Sequence, residues 1–306
     1  MGFILDPLYN FVSGVIVLIH KGLTPIFGTD SGVTWTLSIM GLVVLIRIIL
    51  IPLFVKQIKS QRALTALQPQ MKEIQKKYKD DRQKQSEEMM KLYKEHKTNP
   101  LASCFPILAQ APIFFALFTV LNGIARNTPH GVLRGELLVS AQEAKFFGAN
   151  LSNTFLSSDS NTQTKLVTVV LIAFMSATTF ITQRQLMVKG MPKMDSSNNM
   201  MLQQQKIMLY VFPVIFAVSG VNFPVGVLIY WSTTNLWTFG QQFYVIKRNP
   251  TPGSPAYEEL AKKRELKSKT NGVLPIDDEP GTTQIDPGTE QPKQRQQPSK
   301  KKKKRK

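Results

Sequence analysis

Five stretches of this chain, at 35–55, 104–125, 166–188, 205–220 and 223–246, are dominated by apolar residues and contain no Asp or Glu. Each is near the roughly 20 residues that an α-helix needs to cross a hydrocarbon core of about 30 Å. A water-soluble globule is therefore disfavoured. Hydrophobic residues make up 43% of the chain while its formal net charge is +18, so the apolar and basic characters are segregated along the sequence. The expected fold class is all-α: a polytopic membrane protein with five transmembrane helices, a cytoplasmic helical hairpin and an N-terminal interfacial helix.

The segments between the spans carry the topology. Residues 1–34 form a lead-in whose portion 3–23 places Leu5, Leu8, Val12, Val15 and Ile19 at spacings of three and four, with Asp6, Asn10, Ser13 and His20 on the other side. Its uncharged run between Asn10 and His20 reaches only about 14 Å, too short to cross, which favours an outer amphipathic helix lying in the interface. A retained signal anchor is the competing reading; no cleavage site or lipidation cysteine follows the stretch, so the N-terminus is expected to be kept. Residues 56–103 are rich in Lys and Arg. Within them Leu64, Leu67, Met71, Ile74 and Tyr78, then Met89, Leu92 and His96, repeat at helical spacing on either side of a polar break, as two paired antiparallel helices require. The linkers 126–165 and 189–204 follow. The first offers only Arg126, Arg134 and Lys145 as cations, so the positive-inside rule puts it and the N-terminus outside, and the hairpin and C-terminus in the cytoplasm. Residues 247–306 are rich in Pro, Gly, Gln and charge and are expected to be a disordered basic tail. Its end, Lys300, Lys301, Lys302, Lys303, Lys304, Arg305 and Lys306, suits ribosomal RNA or anionic lipid, or serves only to fix topology.

Arg47 is the most informative single residue. It precedes Lys56 by nine residues, about 13 Å along a helix, and an arginine that deep in a lipid-facing span costs about 2.5–3.5 kcal/mol on insertion scales. It is expected to face a hydrated internal groove. Ser176, Thr179 and Gln183 share one helical face, as do Trp231, Asn235, Thr238 and Gln242, while Gln110, Thr119 and Asn122 add polarity to the second span. Taken singly, each stripe is explained as well by helix-to-helix hydrogen bonding. The spans lack the carboxylates that proton and cation pathways employ. His20, His96 and His130 show no metal spacing, and no paired aspartates, nucleophile with a base, or Walker-type loop occurs, so no enzyme activity, metal or cofactor is expected. The single cysteine, Cys104, leaves no internal disulfide.

The sequence resembles the YidC family of membrane insertases. The resemblance covers roughly 7–247 and rests on Leu45-Ile46-Arg47 with Pro52, Leu67-Gln68-Pro69, Asn99-Pro100-Leu101 with Cys104, Pro106, Gln110, Pro112 and Phe114, and Phe223-Pro224 through Gly226, Tyr230-Trp231, Asn235 and Gln241-Gln242. It implies a prokaryotic cell membrane location, the shorter form of the family, and a five-helix groove open to cytoplasm and lipid. In that groove Arg47, Gln110, Thr119, Asn122, Ser176, Thr179, Gln183, Tyr230, Trp231 and Asn235 would meet nascent membrane-protein clients. Lys72, Lys76, Lys77 and Arg82 of the hairpin would recruit substrate, and the ribosome and Sec translocon are possible partners. The rival readings are a small-solute or anion channel or carrier, which requires a path open on both faces, and an anchored ribosome or scaffold adaptor, for which one span suffices.

Overall fold

The computed structural model describes residues 2–96, 98, 105–157, 160–191 and 199–271. The chain divides into two units, Met1–Lys263 and Arg264–Lys306; Asn99, Pro100, Leu101, Cys104 and Lys300 to Lys306 lie outside the described residues.

Helices account for most of the described residues of the first unit: α1 (Gly2–Phe27), α2 (Gly32–Ile49), α3 (Ile51–Ala66), α4 (Gln68–Lys77), α5 (Arg82–Glu95), α6 (Phe105–Ala125), α7 (Glu136–Glu143), α8 (Thr162–Gln185), α9 (Asn199–Gly220) and α10 (Val225–Arg248). Capping side chains begin several of them. Ser31 accepts from the Val33 N–H (3.3 Å), Asp81 from Lys84 (3.0 Å), and Asn161 from Thr164 (2.7 Å). By length and composition 5–27, 32–49 and 162–190 suffice to cross a membrane, and 110–125 and 209–220 are shorter apolar helices.

The apolar run 35–55 is not one continuous helix. It breaks at Leu50, because Pro52 in the first turn of α3 has no N–H to donate to the preceding turn. Beyond the break α4 and α5 pair as a hairpin: the Tyr93 hydroxyl donates to Met71 Sδ (3.7 Å), Gln85 Nε2 to the Gln75 carbonyl (3.3 Å), and Leu67 and Leu92 are buried.

The core of the bundle is α10 packed on α2, α6 and α8, with α1 against α2 and α6 and α9 against α8. The described residues of 126–161 form an ordered cap rather than a plain loop. It holds α7 and a two-stranded hairpin, β1 (Lys145–Phe146) with β2 (Ala149–Asn150), in antiparallel register Lys145 to Asn150 and Phe146 to Ala149. Its Leu133, Leu138, Ala141, Ala144, Ala149 and Leu151 join one buried cluster with Trp35, Ile39, Leu42, Val120 and Val225.

Helix α1 departs from the amphipathic pattern read from sequence. Ser13 and His20, expected on its polar side, are fully buried beside Val12, Ile16 and Val17, whereas Leu18 is exposed. The physical reason is that both polar groups have partners. Ser13 Oγ donates to the Tyr9 carbonyl (2.6 Å) and accepts from the Val132 N–H (3.0 Å); His20 Nε2–H donates to the Thr29 carbonyl (2.8 Å). These contacts hold both halves of α1 at the cap end. A crossing helix would carry Tyr9 about 27 Å from Phe27 to the opposite end.

The tail also differs from expectation at its start: Pro255–Asn271 is a helix, α11. Ser254 accepts from the Tyr257 N–H (3.3 Å), and Glu258 and Glu259 precede Lys262 and Lys263 by four residues.

Candidate groove around Arg47

Burial along the helices is lopsided. On α6 the buried residues run from Ala116 to Ile124, and on α10 from Val225 to Thr233; the remaining described side chains of both helices are half-buried or exposed. These buried portions adjoin the cap. There the first donors of α10 are satisfied by the cap backbone, Val225 N–H to Asn153 (3.0 Å) and Gly226 N–H to Leu151 (2.9 Å). Trp35, with no exposed surface, stacks on His20 at 4.1 Å and donates its indole N–H to Ser140 Oγ (3.0 Å). One end of the bundle is thus closed by packed side chains and paired backbone. At the hairpin end the same helices are less enclosed.

Arg47 is the last buried residue of α2, at 9% exposure. Its guanidinium lies over the Phe54 ring, 5.6 Å from the centroid, and among the described residues no carboxylate bridges it. Tyr230 of α10 is also buried, at 8% exposure. Spread along α2, α8 and α10, several buried polar atoms have no partner among the described residues: Thr36 Oγ1, Thr168 Oγ1, Ser232 Oγ and Gln185 Oε1.

The other sequence-predicted residues divide. Thr179, Gln183 and Asn235 are half-buried on α8 and α10, which pack together. Ser176 instead donates to the Pro213 carbonyl of α9 (3.3 Å), a helix-to-helix bond. Trp231 belongs to an aromatic cluster, with centroid distances of 6.2 Å to Phe114, 5.6 Å to Phe216 and 5.0 Å to Phe223. Thr119 and Asn122 lie one turn apart on α6, but Gln110 is on the opposite side of that helix. On the hairpin Lys76, Lys77 and Arg82 are exposed and Lys72 is half-buried. Lys77 Nζ lies 5.4 Å from the Tyr78 ring centroid. Sequence reasoning missed Phe54, since its approach to Arg47 depends on the break between α2 and α3. A shallow depression of about 530 Å³ on α9, lined by Tyr210, Val214 and Val218, includes none of the predicted residues.

A chain whose described residues are mostly helical, with apolar spans and a cap at one end, is an all-α polytopic membrane protein. Its residues 26–252 match the family described as 60Kd inner membrane protein, and the chain belongs to that family. It is 57% identical over 253 residues to a Streptomyces avermitilis protein called Membrane protein insertase YidC, covering 80% of this chain and 59% of that protein. A protein of the same name from Tropheryma whipplei strain Twist is 36% identical over 282 residues, 87% of this chain and 91% of the relative. One from Bifidobacterium longum is 32% identical over 320 aligned residues, covering 99% and 95%.

Proposed function

We propose that this protein inserts other proteins into the cell membrane and helps them fold, as the names of its relatives describe. The observation that carries this reading is Arg47, buried with no bridging carboxylate among the described residues, in a bundle whose cap end is packed shut. Ser232 Oγ, two residues past Tyr230 on α10, is buried with no partner among the described residues; water would satisfy it, so a polar client segment entering from the hairpin end need not be wholly desolvated. Arg47 offers an acidic segment a charge-assisted hydrogen bond. The apolar client segment then leaves for lipid under the hydrophobic effect. No covalent bond changes, and the work is not catalytic.

In this arrangement the hairpin and C-terminus are cytoplasmic, the cap is outside, and α1 lies along the outer interface. Lys72, Lys76, Lys77 and Arg82 recruit the client, and the terminal basic run approaches ribosomal RNA or anionic lipid. The Sec translocon is a further partner for some clients. The closed cap speaks against the channel reading, which needs a path through both ends.

The test is insertion of a single-span client with an acidic outer tail into liposomes holding only this protein, read by protease protection of the tail. Protein-dependent insertion that falls about tenfold or more in Arg47→Ala is expected, since a hydrogen bond to a charged group contributes about 1.5–3 kcal/mol. Solute leakage without insertion would favour the channel.

A further inference from the structure

We infer that Phe54 is the seat of Arg47: a positioning residue that holds the guanidinium by its ring face while leaving the charge free for a client. The inference rests on the insertase reading for its functional part and on geometry for the contact itself.

A buried arginine is ordinarily paired with a carboxylate, which satisfies its donors and cancels its charge. Here no described carboxylate bridges it, and the group over which the guanidinium lies is an aromatic ring at 5.6 Å. That distance is within the reach of the ring quadrupole, which attracts a cation most strongly where water is scarce. A ring offers no lone pair in its plane. The N–H edges of Arg47 are therefore not consumed, and its full positive charge stays available to an incoming acidic segment.

The fold supplies the placement. Arg47 belongs to α2 and Phe54 to α3, on either side of the break at Leu50 that Pro52 enforces. Since α3 leads through Leu67 into the α4–α5 hairpin, a tilt of the hairpin arm moves Phe54 against Arg47. The seat thus ties the orientation of the hairpin to the position of the groove charge. This feature is invisible to spacing, as an aromatic seven residues after an arginine is unremarkable within an apolar run.

Two measurements on the full-length protein test it. The first is a double-mutant cycle on Tm in detergent, with Phe54→Leu, Arg47→Met and the double variant. A shift in the double variant clearly smaller than the sum of the single shifts is expected, and additive shifts would overturn the contact. The second compares liposome insertion of an acidic-tailed and an uncharged-tailed client. Phe54→Leu is expected to slow the acidic client about fivefold more than the uncharged one, and Phe54→Trp, whose ring face binds cations best, to restore the acidic client. Equal slowing of both clients, or failure of Phe54→Trp to rescue, would overturn the positioning role. If the Tm cycle shows coupling while Arg47→Met itself does not separate the two clients, the client-capture reading of Arg47 falls and the seat stands.

Discussion

Trp35 shows how single side chains close the capped end. Its indole has no exposed surface, lies against the His20 ring at 4.1 Å, and donates to Ser140 Oγ at 3.0 Å, so one residue joins α1, α2 and α7. Trp35→Phe keeps most of the apolar area but removes the donor; a loss of about 1 kcal/mol is expected, from the hydrogen bond alone. Trp35→Ala also leaves a cavity, and a loss of about 3–5 kcal/mol is expected. Thermal unfolding in detergent checks both, and equal effects of the two substitutions would show that the hydrogen bond, not the packing, dominates. None of this was legible in sequence. Trp35 stands in the first turn of an apolar run, where nothing marks it as more than a lipid-facing aromatic, and its partner is 105 residues away.

At the scale of elements, α1 owes its position to a loop rather than to its own hydrophobic stripe. Gly131 has φ +62, and a Cβ there would meet the Tyr9 carbonyl oxygen at 2.6 Å, with Ser13 Oγ closer still. Gly131→Ala therefore combines backbone strain with a clash, and more than about 1 kcal/mol of stability is expected to be lost. Hydrogen exchange would locate the damage: amides of α1 around Tyr9 to Val17 are expected to lose protection first, while α10 is little changed. Uniform loss would mean that α1 is not held separately by the 130–132 segment. The sequence made the apolar helices plain because long uncharged runs have few alternatives in a membrane. It also marked the α4–α5 pair through two stripes at helical spacing. It did not disclose the cap, because 126–161 has no sustained period, nor the burial of Ser13 and His20, whose partners are backbone groups of other segments. Pro52 did carry a signal for the break at Leu50, but the apolar run continues through it and masks it.

For the Met1–Lys263 unit as a whole, packing and charge are graded in opposite senses. The buried cluster gathers where α2, α6 and α10 meet the cap, while the lysines and arginines of α3 to α5 gather at the other end, with Arg47 at the boundary of the packed region. The proposed groove, which would admit polar chain from the basic end and stop it at the cap, is compatible with that gradient, whereas a conducting path needs openings at both ends. Single cysteines placed in a Cys104→Ser background separate the two. At Asn235, Thr238 and Gln242, in the less enclosed half of α10, a membrane-impermeant thiol reagent is expected to react when added on the hairpin side. At Val227 and Ile229, both buried against the cap, it is expected to react from neither side. The comparison uses vesicles of the two orientations, so that each face is presented in turn, and denatured protein as the measure of full labelling. Reaction at Asn235 from the cap side would mean that the packed end opens, and the one-ended groove would have to give way to a through-path.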